Sequence, residues 1–295
     1  MNPDPYYTPK ISIGPFCLKE ESLIDREVDL TILQVLGQNL IFTYSGKSAI
    51  EISIESLNLG KSSTIGIVTT SGNSYVSNCV TKTISKYCEW VIFDINQKVD
   101  CLIVIHEFGS LLDLNSMNDL RKLGVPIIND FAYSFLSLFM SGRTDFKNEI
   151  NLTSFPKSFN INFGGLVNLP ESKKKMEDQE IRNRILESLG YQLNSIGINE
   201  NIAQRIKNRK YYEIELKRYG YDVIWNKKEI CPGVCMISPR EPVDLTLMKT
   251  FLQRNGIESS VFYGRNAFFV PVHNLMTKKE LEYVVYMIGA FKSVN

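Results

Sequence analysis

Histidine is nearly missing from this 295-residue chain, which holds only His106 and His273. Two isolated imidazoles exclude the clustered spacing of a zinc or other transition-metal site, and no metal is expected. The six cysteines are scattered, and only Cys231 and Cys235 lie close. A Cys-x3-Cys without a partner pair is no zinc signature, so reduced, half-buried thiols in a cytoplasmic protein are expected. Long apolar runs are absent too: Val99 to His106 and Gly124 to Ile128 are far too short to span a bilayer. Residues Met1 to Lys10 lack a charged start followed by an apolar core, so no secretory leader is expected. Net charge is only +1, which gives no whole-chain attraction for nucleic acid or an anionic membrane. There is no Gly-x-Ser-x-Gly elbow, no cysteine-centred catalytic signature, no internal repeat and no low-complexity tract.

What is present is enough apolar residue, 44% against 22% charged, to bury one large core or two unequal ones. Ser45 can cap a helix with Ile50, Ile54 and Leu57 at helical spacing, ended by Gly60. Ile65 to Val68 reads as a buried strand, followed by a helix with Val76, Val80, Ile84 and Tyr87 on one face. Trp90 to Phe93 and Cys101 to Ile105 read as strands, then a helix over Met117 to Leu123 and a strand over Val125 to Ile128. Near-continuous apolar strands separated by amphipathic helices predict an α/β domain whose mainly parallel sheet is covered on both faces. Asp130, just after a strand, would stand at the carboxyl edge, where such sheets place ligands. Composition shifts at Glu171 to Glu180, where Lys173, Lys174 and Lys175 meet acids; this reads as a solvated linker or helix start. Beyond it, a charged helix over Ile202 to Tyr219, strands at Val223 to Trp225, Val234 to Ile237 and Ala267 to Val270, and helices at Val243 to Arg254 and Lys278 to Phe291 predict a smaller α+β C-terminal domain. The expected division is 1–172 and 173–295.

An acid after one apolar run and a lysine after the next can hold the two ends of pyridoxal phosphate (PLP). The Lys157 amine would condense with the cofactor's aldehyde, and the Asp130 carboxylate would keep the pyridine nitrogen protonated. The plainer readings are a solvated lysine after Pro156 and a helix N-cap at Asp130. Neighbours such as Phe155 and Phe159 would lower the lysine's pKa by desolvation. Ser45, Gly46 and Lys47 form a small-residue turn that presents backbone N–H groups to a phosphate at a helix start. A nucleotide P-loop there is excluded, since it needs a glycine where Ile41 stands.

Motif order from Tyr44 to Gly165 resembles the DegT/StrS family of PLP-dependent sugar aminotransferases, which have the aspartate aminotransferase fold. The blocks are Tyr44 to Ile50, Val104 to Gly109, Pro126 to Ser134, and Lys157 with Gly164 and Gly165; Phe269 to Asn274 through Glu280 is similar to the family's closing strand, turn and helix. The resemblance implies PLP as cofactor and Lys157 and Asp130 as catalytic residues. It implies cofactor contacts from Ser45, Gly46, Lys47, Ala132, Tyr133 and Ser154, and from Tyr75 by a looser alignment, where an ordinary core or surface tyrosine is the other reading. His106 falls in a family-like block at a strand end, in a structural or pocket-edge role. The implied reaction moves an amino group, from glutamate, onto a nucleotide-linked keto sugar in surface glycan biosynthesis, in a homodimer. Arg240, Arg254 and Arg265 are candidates for the cleft wall or solvated surface. The chain departs from the family at Asn129, where an acid is usual, at Tyr133, where a His or Gln is usual, at Phe163, in place of a Glu, and in its shorter length. These departures keep two alternatives open: a catalytically degenerate PLP-fold binding or structural protein, and a PLP enzyme of another reaction type.

Overall fold

The computed structural model describes residues 10–15, 30–170, 178–195, 197–225 and 230–294. The first nine residues, Cys17, the lysines 173–175 and the expected division at 172/173 lie outside them. The large sheet is built from β1 (Leu40–Thr43), β2 (Thr64–Thr69), β3 (Glu89–Ile92), β4 (Cys101–Ile105), β5 (Ile127–Asp130), β6 (Ile150–Ser154) and β7 (Gly165–Asn168). Its order is β1-β7-β6-β5-β4-β2-β3. Only β7 runs against the rest, paired antiparallel to both β1 and β6, while the pairs from β6 to β3 are parallel.

The strands are apolar because both sheet faces are covered. On one face α1 (Gly46–Ser56) turns Ala49, Ile50 and Ile54 onto Ile65, Ile67, Ile103 and Val167, with α2 (Asn78–Ile84) beside it. On the other lie α3 (Leu114–Arg121), α4 (Phe135–Ser141) and α6 (Gln179–Ser195), where Met117, Phe135, Ile185 and Leu189 pack with Leu102, Val104, Phe131 and Leu166. Each such side chain, fully buried, stabilises the fold by roughly 1.5–3 kcal/mol. A four-residue helix, α5 (Phe155–Ser158), follows β6 directly.

A second sheet, order β10-β11-β9-β8, is antiparallel throughout: β8 (Tyr221–Ile224), β9 (Cys235–Pro239), β10 (Ser260–Phe262) and β11 (Ala267–Val270). Three helices pack with it: α7 (Ile198–Glu215), α8 (Leu245–Arg254) and α9 (Lys278–Val294). Helix α7 joins the two cores, with Ile198 and Ile202 in the large one and Tyr212 in the small one. Ile11 also packs in the small core, bridged to Ile257.

Several expected boundaries move. The strand read at Val125 to Ile128 begins at Ile127, because Pro126 has no N–H for the ladder; only its carbonyl is used, accepting from the Leu102 N–H at 2.9 Å. At its other end the strand runs on through Asp130, which pairs with Ile105 and Leu152 and is its last residue, not the residue after it. Helix α2 starts at Asn78, capped by Ser77, so Val76 precedes it and Tyr87 follows it. Helix α1 ends at Ser56, before Gly60.

Candidate active site

Strand pairing brings the small-residue turn and the lysine segment to one sheet edge. Thr43 and Ser154 both pair with Gly165, so the chain leaving β1 and the chain leaving β6 flank the start of β7. Gly165 has to lack a side chain: a Cβ there would stand 2.7 Å from the Ser45 carbonyl carbon and oxygen. Gly164 before it takes φ +95°, a left-handed conformation open to glycine. A Cβ at Gly46 would meet the Ser154 Cβ at 2.9 Å and its Oγ at 3.2 Å. Ser45 caps α1, its Oγ accepting from the Ser48 N–H at 3.2 Å. Ser45, Gly46 and Ser154 thus form one cradle at the start of an eleven-residue helix, where N–H groups lack intrahelical acceptors. Lys47 is exposed in that first turn.

From Ser154 the chain passes through α5 and returns at Gly165. Lys157, on this excursion, donates from Nζ to the Tyr133 hydroxyl at 2.9 Å. The lowered pKa expected for Lys157 is a correction: the neighbouring Tyr133 oxygen outweighs desolvation and holds the ammonium above its ordinary value, with Glu258 and Cys79 adding to it. Asp130 is 5% exposed, and Oδ1 accepts the Ala132 N–H at 2.8 Å. Burial pushes its carboxyl up to about 6, opposed by that N–H and by the charge of Lys157. No cation lies within hydrogen-bonding reach of this carboxylate among the described residues.

Behind Asp130 a buried polar chain supports the strand end. His106 is 1% exposed and stacks on Phe131, centroids 4.3 Å apart and planes 8° from parallel. Its Nδ1 accepts the Leu112 N–H at 3.1 Å, so Nε2 carries the proton and donates to the Asn129 Oδ1 at 3.2 Å. Asn129 donates in turn to Glu149 at 2.7 Å and to Asn151 at 3.0 Å. Desolvation depresses the His106 pKa to about 3, so the ring is neutral and structural. An acid at position 129 would bring a second carboxylate up to Glu149; the amide avoids that.

The smaller sheet closes over this edge. The β10–β11 turn holds the segment after β2: Asn73 donates to the Tyr263 carbonyl, Arg265 donates to the Ser71 carbonyl, and Tyr75 lies against Tyr263 at 4.9 Å between centroids. Glu107, buried and thereby raised in pKa, accepts the Ser71 N–H at 2.9 Å on the same segment. Phe108, at φ +51°, packs against Tyr133, Trp225, Phe262 and Phe269.

Seen together, Ser45, Gly46 and Ser154 form one group, Lys157 and Tyr133 a second, and Asp130 and Ala132 a third, at neighbouring strand ends. Tyr75 lies against Tyr263. Of the three arginines considered for the cleft wall, Arg265 reaches the site's rim, while Arg240 forms a two-bond pair with Asp222 at 2.9 and 2.6 Å and Arg254 is exposed on α8. Phe163 lies under the Arg184 guanidinium, 4.9 Å from its centroid. Cys231 and Cys235 are buried free thiols, and burial pushes Cys231 up to about 11. Glu107 and Phe108 were legible only as parts of a motif block, not as a clamp and an aromatic wall.

No family model and no curated relative matches this sequence. Solved structures do match it in three dimensions. The aminotransferase TlmJ from Streptoalloteichus hindustanus superposes with a TM-score of 0.67 at 14% identity, over 90% of this chain and 89% of its own. A DegT DnrJ EryC1 StrS aminotransferase from Brucella abortus gives 0.65 at 14% identity, over 89% and 88%. The fold is that of the DegT/StrS-type aminotransferases. NtdA from Bacillus subtilis, solved with bound cofactor PMP, shares it with a TM-score of 0.66 at 14% identity, over 89% of this chain and 75% of that one. Among the described residues no helix is long and apolar enough to cross a membrane.

Proposed function

We propose that this chain is a PLP-dependent aminotransferase that moves an amino group, from glutamate, onto a nucleotide-linked keto sugar, as a cytoplasmic homodimer serving surface glycan synthesis. The observation that carries the reading is the buried Asp130, pushed up to about 6 by desolvation, at the strand end next to the segment bearing Lys157. Such an acid suits a protonated ring nitrogen, and the small-residue cradle of Ser45, Gly46 and Ser154 suits a phosphate. The residues therefore fit PLP. When bound, PLP supplies an aldehyde for covalent capture of amines and a ring that withdraws electrons.

The protein's part follows from its own groups. Ser45, Gly46 and Ser154 would hold the phosphate with hydroxyls and backbone N–H groups at the α1 N-terminus. Asp130 would hold a proton on the ring nitrogen, with the Ala132 N–H keeping the carboxylate in place. Lys157 would be the amine that condenses with the cofactor's aldehyde, releasing water, and, once an incoming substrate amine displaces it, would be the base that carries protons. For both tasks it must give up a proton, and the Tyr133 oxygen that now accepts from Nζ is the group that orients it. The aromatic wall around Phe108 packs against Tyr133 through ring contacts, the Phe108 and Tyr133 centroids lying 5.3 Å apart.

The substrate reading rests on the motif resemblance and on the arginines. An amino-acid transaminase holds its substrate carboxylate with a bidentate arginine, whereas Arg240 is already paired and Arg265 is bound to backbone. Nucleotide-linked 3- or 4-keto sugars are expected to turn the aminated cofactor back to PLP, and simple 2-keto acids other than 2-oxoglutarate to do so poorly. Single-turnover spectra with a panel of keto compounds test this. Rapid reaction with small keto acids and none with any nucleotide-linked keto sugar would remove the chain from the sugar class. Sedimentation at assay concentration is expected to give a dimer, and a fully active monomer would defeat the proposed assembly.

A further inference from the structure

The lysine segment is held from behind by an arginine that pairs with no carboxylate among the described residues. Arg205, on α7, is fully buried. Its Nε donates to the Asn201 Oδ1 at 2.9 Å, its Nη1 to the Pro232 carbonyl at 3.3 Å, and its Nη2 to the carbonyls of Lys157 at 3.1 Å and Ser158 at 3.2 Å. Asn201, one turn earlier, adds a bond from its own amide to the Ser158 carbonyl at 3.0 Å. Desolvation depresses the guanidinium's pKa. A buried charge answered only by neutral carbonyls is costly, and a four-residue helix can end on far cheaper partners.

Its position accounts for that expense. The two backbone segments it bridges are those that place Lys157 and Tyr133. One is α5, which carries Lys157. The other, Pro232–Gly233, lies directly against Tyr133: a Cβ on Gly233 would stand 2.8 Å from the Tyr133 carbonyl and 3.0 Å from its ring. Gly233 also donates its N–H to the Phe108 carbonyl at 3.2 Å, tying the segment to the aromatic wall.

We propose that Arg205 is a positioning residue, whose guanidinium spans the α5 turn and the Pro232–Gly233 segment and thereby fixes the contact between the Lys157 amine and the Tyr133 hydroxyl. As a claim about catalysis this rests on the PLP reading; as a claim about geometry it does not. The other groups whose charge acts on Lys157 are Asp130, Glu258 and Cys79. None of them is bonded to Arg205, so its loss acts through the backbone.

The test uses cofactor-free protein with 13Cε-labelled lysine and protonated tyrosine in a deuterated background. A nuclear Overhauser contact from the Lys157 ε-protons to the Tyr133 ring, assigned with Lys157→Arg, is expected in the wild type. It is expected to persist in Arg209→Met, whose wild-type side chain donates to the Ile230 carbonyl at 3.2 Å from the same helix. In Arg205→Met and Arg205→Lys it is expected to be lost, since an ammonium keeps the charge but not the planar fork. In parallel, borohydride-fixed loading of PLP is expected to slow by roughly 10²-fold in both Arg205 variants, the scale of an ångström-level misplacement. A wild-type contact in Arg205→Lys, or an equal loss in Arg209→Met, would overturn the proposal. If Arg205→Met does not fold, Arg205→Lys alone decides. Loss of the contact in a protein whose wild type never fixes PLP would leave the positioning role standing and remove the cofactor reading.

Discussion

Lys157→Ala is expected to leave a folded protein that no longer captures PLP covalently and no longer transfers amino groups. The side chain is half-buried on a segment anchored by backbone bonds, Phe155 N–H to the Gly164 carbonyl at 3.1 Å and Phe159 N–H to the Phe155 carbonyl at 2.8 Å, neither of which involves its amine. Truncation therefore removes chemistry and leaves the segment in place. It deletes both the covalent attachment and the proton carrier. Loss of a positioned acid–base group alone is worth roughly 10²–10⁴-fold, and transfer by the variant should fall by at least that much. A thermal melt close to the wild type's, with no borohydride-stable adduct, checks the prediction. An adduct retained on another lysine would move the assignment elsewhere.

Asp130→Asn should also lose activity but, unlike Lys157→Ala, should stabilise the cofactor-free fold. In the cofactor-free chain the Asp130 carboxyl sits at about 6 against a usual 3.8, because burial disfavours its charge. A carboxyl raised in the folded state stabilises the fold when protonated and loses that contribution as pH climbs through its folded pKa. At pH 7 the ionised side chain therefore costs on the order of 3 kcal/mol, and an amide, which can still accept the Ala132 N–H, would recover most of it. Urea unfolding of the cofactor-free proteins should show the variant more stable above pH 6, with the gain fading towards pH 3.8. With PLP bound the same substitution removes the counterion of the ring nitrogen, and turnover should fall by the equivalent of about 2–4 kcal/mol of barrier. A variant that gains no stability at pH 7, or that turns over at the wild-type rate, contradicts the role given to Asp130. The combination is the signature of a site whose strain is relieved by its ligand.

Much of the large domain was legible because its central strands are apolar on both faces. Cys101 to Ile105 and Ile65 to Val68 read as strands without any knowledge of partners. Strand β6 did not, since Asn151 and Thr153 interrupt Ile150 and Leu152; Asn151 is nonetheless buried, its amide donating to the carbonyls of Leu36 at 2.7 Å and Phe146 at 2.8 Å. Polar residues satisfied by backbone far away in sequence mimic a loop. The same obstacle hid Arg205. Asn201, Arg205, Asn208 and Arg209 recur along α7 at helical spacing, which reads as a solvated stripe, yet all four are buried. Their partners are carbonyls contributed by Lys157, Ser158, Ile230, Pro232, Val272 and His273. The Lys157 pKa failed for a related reason. Its apolar sequence neighbours Phe155 and Phe159 were visible, but the hydroxyl that reverses their effect comes from Tyr133, on another strand's end. Asp130 was legible because it follows an apolar run, and the glycine pair only through its spacing from Lys157 in the family resemblance.

Covalent trapping shows whether Lys157 is the residue that holds PLP. The purified wild-type chain is incubated with PLP, reduced with borohydride, digested and mapped by mass spectrometry. The expected result is a yellow protein bleached by reduction, with one phosphopyridoxyl group on the peptide containing Lys157 and none in Lys157→Ala. A protein that stays colourless with excess PLP, or a label spread over surface lysines with Lys157 unmodified, would contradict it.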